Sequence, residues 1–344
     1  MKPHAFDPDA AATGASGIYG LPFSPDDARV VVVPVPFEAT TSYGGGTSGG
    51  PAAVLEASKQ VDLFDRDTGR PYAAGIAMLD FPKKIERWNR EAKTIAAPVI
   101  RRGGAVDKKT RTAAAKVNAI SEKMNEWVYT TTRSLLDDNK MPVILGGDHS
   151  VPFGAMRAYA ERYPGMGILH LDAHADLRDA YEGFTWSHAS IFHNVITKLP
   201  KVSRLVQVGV RDLGQAESRM IEQSSGRIVT FFDPDLAAAK EEGTAWARIA
   251  DNIVAQLPKD VYLSWDIDGL DPTLCPGTGT PVPGGLSWNE AIGLLRAIKR
   301  AKKRIVGLDL CEVSPGETEW DANVGARLLY KMIGFALLTQ GVTS

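Results

Sequence analysis

Short apolar runs recur along this chain, and polar residues seldom interrupt them. The runs are rich in Val, Ile and Leu, and most lack the alternation of a strand with one face in water. Uninterrupted runs are typical of parallel strands that are covered on both faces. The pattern predicts eight buried strands, namely ARVVVVPVP (28–36), AGIAML (74–79), MPVILGG (141–147), MGILHLDAH (166–174), SRLVQVGV (203–210), RIVTFF (227–232), DVYLSWDID (260–268) and RIVGLDLCEV (304–313).

Helical patterns occupy many of the segments between these runs. Residues 111–137 place five apolar side chains at helical spacing, namely Val117, Ile120, Met124, Val128 and Leu135. In LSWNEAIGLLRAIKR (286–300), Ser287 and Glu290 form a capping box. Leu286 and Ala291 occupy the staple positions of the same helix.

The alternation of strands and helices predicts an α/β fold with a mainly parallel sheet of about eight strands. Residues 1–28 are small, polar and rich in Pro and Gly, so we expect an N-terminal arm there. Residues 29–344 contain no repeat and no obvious linker. We therefore expect them to form a single domain.

The balance of charged residues limits which kinds of binding partner we expect. The 39 Lys and Arg residues against 41 Asp and Glu residues give a net charge of −2. This balance gives no electrostatic reason to expect nucleic acid or a membrane as partner. Residues 80–116 are locally basic, which we interpret as solvated surface because aromatic residues are not interleaved with the basic ones.

Cellular location is predicted from what the chain lacks. The N-terminus has no apolar core of a secretory signal, and no apolar run approaches the roughly 20 residues that span a bilayer. The two cysteines are too few for a disulfide framework. We therefore expect a cytoplasmic protein.

Ionisable residues gather where four of the predicted strands end. GGDHS (146–150), DAHAD (172–176), DIDGLDP (266–272) and CEVSP (311–315) each end or follow an apolar run. Ligands of open parallel sheets bind beyond the carboxyl ends of the strands. Side chains from these four distant segments are therefore expected to meet at one edge.

Six residues in these segments have the chemistry of metal ligands. Four close carboxylates would repel one another, and two divalent cations would cancel their charge. Oxygen and imidazole ligands without thiolate suit Mn²⁺, with Fe, Co, Ni or Zn as alternatives. Each motif alone is more typical of a turn or cap, but together they predict a two-metal site. The candidates are His149, Asp172, His174, Asp176, Asp266 and Asp268.

The ordered motifs resemble those of the ureohydrolases, the arginase and agmatinase family. The resemblance runs from about residue 30 to the C-terminus and rests on GGDHS, LDAHADLRDAYEG, SHAS, SWDIDGLDPTLCPGTGTPVPGG and GLDLCEVSP. It implies a three-layer α/β/α sandwich and a dinuclear manganese centre that releases urea from a guanidino compound. It also implies a homo-oligomer, either a trimer or a hexamer.

The resemblance also implies metal ligands. His149, Asp172, Asp176 and Asp266 would hold one metal, and Asp172, His174, Asp266 and Asp268 would hold the other. Asp172 and Asp266 would bridge the two ions.

Three catalytic roles follow from the same resemblance. A metal-bridging water has a lowered pKa, so its hydroxide would attack the guanidinium carbon. Asp176 would orient this hydroxide, His188 would shuttle the proton that the leaving amine needs, and Glu312 would pair with the substrate guanidinium.

Other polar residues are interpreted as lying outside the reaction. We place His170 and His193 outside the site and interpret Asp148 and Asp271 as residues that support the ligands or form turns. The GGGTSGG stretch (44–50) matches the G-x-G-x-x-G consensus of dinucleotide-binding loops. It does not follow the first strand directly, so we interpret it as a loop that positions a helix.

The substrate is predicted from LRDAYEGFTWSHAS (177–190), which lacks an arginase-like Asn and resembles agmatinases. We expect hydrolysis of agmatine to putrescine and urea, with two Mn²⁺ and with Ni²⁺ as an alternative. Arginine, guanidinobutyrate, guanidinopropionate and guanidine remain alternative substrates, and a metal-binding, non-catalytic subunit is the alternative from another class. Candidates to line the distal pocket or attract an ammonium are Asp179, Tyr181, Glu182, Phe184 and Trp186.

Overall fold

The computed structural model describes residues 6–14 and 16–342, and it contains one eight-stranded sheet. Every strand pair in the sheet is parallel. All eight strands predicted from the apolar runs are present. Their bounds are β1 Val30–Val35, β2 Ile76–Met78, β3 Met141–Gly146, β4 Gly167–Leu171, β5 Arg204–Val210, β6 Ile228–Phe232, β7 Asp260–Asp266 and β8 Arg304–Cys311.

The order of strands in the sheet differs from their order in the chain. Across the sheet they run β2-β1-β3-β8-β7-β4-β5-β6. The last two strands therefore occupy the middle, where β8 pairs with β3 and β7 pairs with β4. This order makes β3, β8, β7 and β4 adjacent, and these are the strands whose ends carry the ionisable motifs.

Ten α-helices lie in the described residues. Their bounds are α1 Gly50–Ser58, α2 Lys83–Ile100, α3 Lys108–Asp137, α4 Phe153–Arg162, α5 Ile191–Lys198, α6 Gln215–Gln223, α7 Asp233–Glu241, α8 Trp246–Ala255, α9 Trp288–Arg300 and α10 Trp320–Thr339. The predicted helix over 111–137 lies within α3, which begins three residues earlier because Asp107 caps it in a box with Thr110. The box predicted for α9 is confirmed, since Glu290 N donates to Ser287 Oγ and Ser287 N donates to Glu290 Oε2.

The helices cover both faces of the sheet and form a three-layer α/β/α sandwich. Successive strand residues point to opposite faces, so Val32 packs on the side of α1 and α8–α10, whereas Val33 packs against α2 and α3. Both residues are fully buried. This double burial explains why the strands read as uninterrupted apolar runs.

The predicted arm over 1–28 includes residues 1–5 and Ala15, which lie outside the described residues. Within the described part, Ile18 is fully buried and the hydroxyl of Tyr19 donates to Ala326 O at 3.1 Å. The division at residue 28 remains a prediction. Within the described residues, no helix combines the length and the apolar content needed to cross a membrane.

Candidate metal centre

Four adjacent strands carry ionisable side chains to the same edge of the sheet. His149 lies just beyond β3, Asp172 follows β4, Asp266 ends β7 and Glu312 follows β8. All four strands are parallel, so their carboxyl ends meet at this edge. The edge is where open parallel sheets bind their ligands.

One group of ligand atoms surrounds the Nδ1 atom of His149. This nitrogen lies 3.0 Å from Asp172 Oδ2 and 3.4 Å from both Asp176 Oδ2 and Asp266 Oδ2. All four residues are buried. One imidazole nitrogen and three carboxylate oxygens therefore face a common point.

A second group lies beside the first and shares Asp172 with it. His174 Nδ1 is 3.1 Å from Asp268 Oδ2 and 3.3 Å from Asp172 Oδ1. Asp172 thus presents one carboxylate oxygen to each group. The structure brings together all six predicted ligand residues, which we call the rim cluster: His149, Asp172, His174, Asp176, Asp266 and Asp268.

Backbone hydrogen bonds hold these carboxylates in place. Asp268 N donates to Asp266 Oδ1 at 3.0 Å, and Ala173 N donates to Asp268 Oδ1 at 2.9 Å. The next residue, Gly269, packs so closely that an added Cβ would lie 2.7 Å from Asp172 N. The loop after β7 therefore requires glycine here to bring its carboxylates against β4.

Two predicted catalytic residues adopt a backbone conformation that is rare outside glycine. Asp176 has φ of 54° and Glu312 has φ of 62°. Neighbouring hydrogen bonds maintain both conformations, because Phe192 N donates to Asp176 O at 3.0 Å and Glu312 N donates to Gly147 O at 2.8 Å. Strained residues of this kind concentrate at functional sites.

The electrostatics of the rim cluster fit a site that binds cations. Burial raises the pKa of Asp176 to about 7, and the charge of Asp172 adds to the effect. Burial, then the charges of Asp268 and Asp172, raise the pKa of Asp266 well above its ordinary value. Burial alone would lower the pKa of His174, yet Asp268 and Asp172 raise it to about 12.

A pair of divalent metal ions matches this donor set. The ions would carry four positive charges to four aspartate carboxylates, and oxygen with imidazole nitrogen suits first-row divalent metals. The residues present therefore fit a dinuclear centre. Groups able to bind a metal occur here as sets of imidazoles and carboxylates in which every member except the partly exposed His174 is buried.

The second nitrogen of His149 is also bound within the protein. His149 Nε2 lies 2.9 Å from Ser264 Oγ, which donates to Asp309 Oδ1 at 3.0 Å. Because Ser264 gives its proton to a carboxylate, it accepts from His149 Nε2–H, so in the neutral ring Nδ1 carries the lone pair that a metal ion would use. A ligand histidine typically donates its other N–H in this way. Ser264 was not among the predicted site residues, although it lies two residues before Asp266 on the same strand.

His170 belongs to this site, so the prediction that it lies outside is wrong. Its Nε2 atom is 2.8 Å from Asp172 Oδ2, and its Nδ1 atom is 3.0 Å from Gln207 Nε2. Residues two apart in a strand point to the same face, and this parity puts His170 beside Asp172. The side chain of His193 instead faces Asp179, with Nε2 3.7 Å from Asp179 Oδ1.

His188 and Glu312 both present a free polar atom. Glu312 Oε1 accepts a hydrogen bond from His149 N at 3.0 Å, whereas its Oε2 has no partner among the described residues. Burial, then the charges of Asp266 and Asp148, raise the pKa of Glu312 well above its ordinary value. His188 Nδ1 also has no partner in the described chain, and burial lowers the pKa of His188 to about 4.

Comparison with known proteins assigns the family. The profile described as "Arginase family" matches residues 28–334. This chain belongs to the arginase family. It is therefore a ureohydrolase, a metal-dependent amidinohydrolase whose substrate is a small guanidino compound. The family uses a dinuclear metal centre, which agrees with the rim cluster.

Individual relatives and structures agree with this assignment. The chain is 33% identical over 318 residues to N(1)-aminopropylagmatine ureohydrolase of Thermus thermophilus, covering 92% of this chain and 93% of the relative. It is 29% identical to an agmatinase of Bacillus cereus, covering 89% and 90%. The crystal structure of agmatine ureohydrolase from Thermoplasma volcanium matches with a TM-score of 0.71 at 24% identity, covering 94% and 95%, and supports the arginase-like fold.

In this arginase-family chain, a cavity of about 160 Å³ leads to the rim cluster. Its lining comprises Ser42, His174, Asp176, Arg178, Tyr181, His188, Ala189, Asp212, Glu217 and Thr280. Of the predicted distal-pocket residues, Tyr181 lines this cavity. Phe184 instead lies fully buried in the core, and Trp186 lines a separate surface cavity with Phe153.

The glycine-rich loop of this arginase-family chain packs against the segment after β8. An added Cβ at Gly50 would lie 2.1 Å from Val313 O, and Ser314 Oγ donates to Gly45 O at 3.1 Å. Helix α1 begins at Gly50. These contacts agree with the interpretation of GGGTSGG as a loop that positions a helix.

Proposed function

We propose that this ureohydrolase hydrolyses agmatine to putrescine and urea, using two Mn²⁺ ions, with Ni²⁺ as an alternative. The observation that carries the proposal is the pair of ligand groups that share Asp172 beside a cavity. In the proposed assignment, His149, Asp172, Asp176 and Asp266 would hold one ion. Asp172, His174, Asp266 and Asp268 would hold the other, so Asp172 and Asp266 would serve both.

The metal pair supplies one element of the chemistry. Two divalent ions lower the pKa of water and so provide hydroxide near neutral pH. Asp176 would accept a hydrogen bond from that nucleophile and direct it, because its carboxylate lies 3.4 Å from His149 Nδ1 and the residue lines the cavity. A guanidinium carbon is a weak electrophile, so such alignment is needed for attack.

Glu312 would orient the substrate. Its Oε1 atom is committed to His149 N, which leaves Oε2 free for the substrate. A buried carboxylate without a cationic partner costs free energy, and a guanidinium would relieve that cost through a charge-assisted hydrogen bond. Burial and the charges of Asp266 and Asp148 raise the pKa of Glu312, so a cationic substrate would stabilise its charged form.

His188 would move the proton. With a pKa lowered to about 4, it is neutral before reaction, so it first accepts a proton and then passes it to the leaving amine. Its unpartnered Nδ1 atom is available for either step. Its place in the lining of the cavity supports this assignment.

Charge at the cavity mouth favours a substrate with a distal amine. Arg178 is the one basic side chain with a permanent charge in the lining, and Glu217 balances it at 3.5 Å. The exposed carboxylate of Asp212 then leaves the mouth acidic. An ammonium at the far end of agmatine would be attracted there, whereas the carboxylate of guanidinobutyrate would be repelled.

A second candidate substrate has specific support. The 33% identical relative from Thermus thermophilus is named for N(1)-aminopropylagmatine, which is agmatine extended by an aminopropyl group. The same acidic mouth would suit this longer polyamine. The two substrates differ only in how far the cationic chain continues beyond the guanidinium.

Urea release from a panel of guanidines tests the proposal. The purified chain is reconstituted separately with Mn²⁺ and Ni²⁺ and assayed with agmatine, N(1)-aminopropylagmatine, arginine, guanidinobutyrate, guanidinopropionate and guanidine. We expect the highest metal-dependent kcat/KM with agmatine. A preference for another guanidine would overturn the substrate, and no urea from any would favour a non-catalytic metal-binding role.

A matched pair of variants tests the acidic mouth. Asp212→Asn should lower the preference for agmatine over guanidinobutyrate by up to about fivefold, the size of an exposed ion pair of about 1 kcal/mol. Asp179→Asn is the control, because Asp179 is exposed and faces His193. An unchanged preference in Asp212→Asn would remove this residue from substrate selection.

A further inference from the structure

His170 is near enough to the rim cluster to be mistaken for a metal ligand. It is fully buried, and its Nε2 atom lies 2.8 Å from Asp172 Oδ2. We propose that His170 binds no metal and instead positions the shared carboxylate of Asp172, as a donor whose tautomer Gln207 determines. The inference rests on the proposed function in one respect, namely that Asp172 binds the metal pair.

The orientation of the Gln207 amide follows from its neighbours. One atom of this amide is 2.7 Å from Ala175 O, a carbonyl oxygen that can only accept. That atom must therefore be the Nε2 nitrogen. The opposite atom, Oε1, accepts from the hydroxyl of Thr230 at 3.0 Å, which agrees with the same orientation.

This orientation determines the tautomer of His170. Gln207 Nε2 uses one hydrogen for Ala175 O and directs the other to His170 Nδ1 at 3.0 Å. His170 Nδ1 must then be an unprotonated acceptor, so the ring proton is on Nε2. An Nε2–H group facing Asp172 can donate to the carboxylate but offers no lone pair to a metal ion.

The two lone pairs of Asp172 Oδ2 therefore face different partners. His170 occupies one lone pair of Oδ2, which leaves the other directed towards the point that His149 Nδ1 faces at 3.0 Å. Phe192 restrains the donor, because its ring centroid is 3.9 Å from that of His170. A hydrogen-bonded chain from β6 through β5 to β4 thus orients the carboxylate that both ligand groups share.

Two substitutions of His170 by amide side chains of different length test this role. In His170→Gln the amide N–H can occupy the position of Nε2, whereas in His170→Asn it reaches only as far as Nδ1. We expect His170→Gln to bind two Mn²⁺ per chain with wild-type affinity in calorimetric titration. His170→Asn should lose about 10–100-fold in Mn²⁺ affinity, as is typical when an outer hydrogen-bond partner of a ligand is removed.

Two results would overturn the proposal. Equal loss of one Mn²⁺ in both variants would make His170 a ligand, and unchanged affinity in both would leave it without a role. Thermal unfolding of the metal-free variants controls for folding. If His170→Asn does not fold, Gln207→Met is titrated instead, and wild-type affinity in that variant counts against the proposal.

Histidine ¹H–¹⁵N spectra of the Zn²⁺-loaded wild-type chain give a second readout. We expect the proton of His170 on Nε2, and a metal-coordinated Nε2 would overturn the proposal. These measurements remain separate from the proposed function. If wild type binds two Mn²⁺ but releases no urea, the proposed function is contradicted. The Mn²⁺ affinities of the His170 variants would still decide the role of His170.

Discussion

Two clusters of acidic residues in this chain have opposite electrostatics. In the rim cluster, burial and mutual repulsion raise the pKa of Asp176 to about 7 and that of Asp266 well above its ordinary value. On the surface, Asp67 receives a two-pronged hydrogen bond from Arg296, at 2.7 and 2.9 Å, and an ion pair from Lys331 at 2.9 Å. Arg296, followed by Lys331, lowers the pKa of Asp67 to about 2.

The difference between the clusters is the source of positive charge. The surface network of Asp65, Asp67, Arg296 and Lys331 is neutralised by cations of the chain itself. Among the described residues, the four aspartates of the rim cluster have no lysine or arginine partners of this kind. Their positive neighbours are histidines, which lower the pKa of Asp172 but leave the pKa values of Asp176 and Asp266 raised, so added cations would still stabilise this cluster.

Removing a rim carboxylate should have the largest effect on both activity and metal-dependent stability. We expect Asp266→Asn to reduce urea release to background, because a shared metal ligand is lost. The metal-free variant should nevertheless unfold at a temperature no lower than metal-free wild type, since repulsion within the cluster is relieved. Mn²⁺ should raise the unfolding temperature of wild type but not of the variant.

Asp271→Asn is the matched control for this variant. Asp271 lies in the same loop, but its carboxylate accepts from Thr273 N at 2.8 Å. The asparagine keeps that acceptor, so Mn²⁺ binding and urea release should remain at wild-type level. Full activity in Asp266→Asn, or loss of both properties in Asp271→Asn, would contradict the ligand assignment.

Substitution of His188 separates chemistry from metal binding. His188→Asn should lower kcat by about 10²–10⁴-fold, the usual contribution of a residue that transfers a proton. Mn²⁺ affinity should be unchanged, because His188 is not among the ligand groups around His149 and His174. Measuring kcat and Mn²⁺ stoichiometry on the same preparation checks this, and undiminished kcat would remove His188 from the mechanism.

Glu312→Gln tests whether the free oxygen holds the substrate. Glutamine keeps the acceptor for His149 N but removes the negative charge, so about 2 kcal/mol or more of binding should be lost. This corresponds to a fall of at least about thirtyfold in kcat/KM for agmatine. Two Mn²⁺ per chain should still bind. Unchanged kinetics would show that the substrate guanidinium binds elsewhere.

The surface network should give the smallest effect. Asp67→Asn should reduce the free energy of unfolding by about 1 kcal/mol, because the pairs are partly screened by solvent. Urea release should not change. The folded-state pKa of Asp67 lies below its ordinary value of 3.8, so its contribution is present above pH 3.8 and is lost as pH falls towards about 2.

Asp176 gives the opposite dependence on pH. Its pKa is raised from 3.8 to about 7, so its contribution to the metal-free chain is present below pH 3.8 and is lost as pH rises through about 7. Unfolding temperatures of the metal-free chain across this range measure both trends, with Asp67→Asn as the reference for Asp67 and Asp176→Asn as the reference for Asp176. If wild type does not lose stability relative to Asp176→Asn between pH 4 and 7, the repulsion in the rim cluster is contradicted.

The strands were predictable because their burial on both faces leaves a direct record in the sequence. Val30–Val35 and Gly167–Leu171 contain no acidic residue, lysine or arginine, and Asp172 directly follows the second of these strands. The order of strands was not predictable in this way, because parallel pairing of β8 between β3 and β7 depends on contacts between distant segments. Local patterns do not record which strands become neighbours.

The rim cluster was predictable from residue type at strand ends, but its supporting hydrogen bonds were not. Gln207 and Asp309 come from β5 and β8, and they contact His170 and Ser264 only after the sheet has formed. His170 itself could have been assigned from parity, since it lies two residues before Asp172. Its tautomer depends on Gln207, which no sequence pattern connects to it.

The central placement of β7 and β8 also orders events during biosynthesis. Segments β1–β3 and β4–β6 emerge from the ribosome first, and they form the two outer parts of the sheet. The last two strands complete the sheet between them, and their carboxyl ends carry Asp266, Asp268 and Glu312. An unfinished chain lacks these residues and cannot assemble the complete centre, so only a chain whose final strands are in place would hold both metal ions.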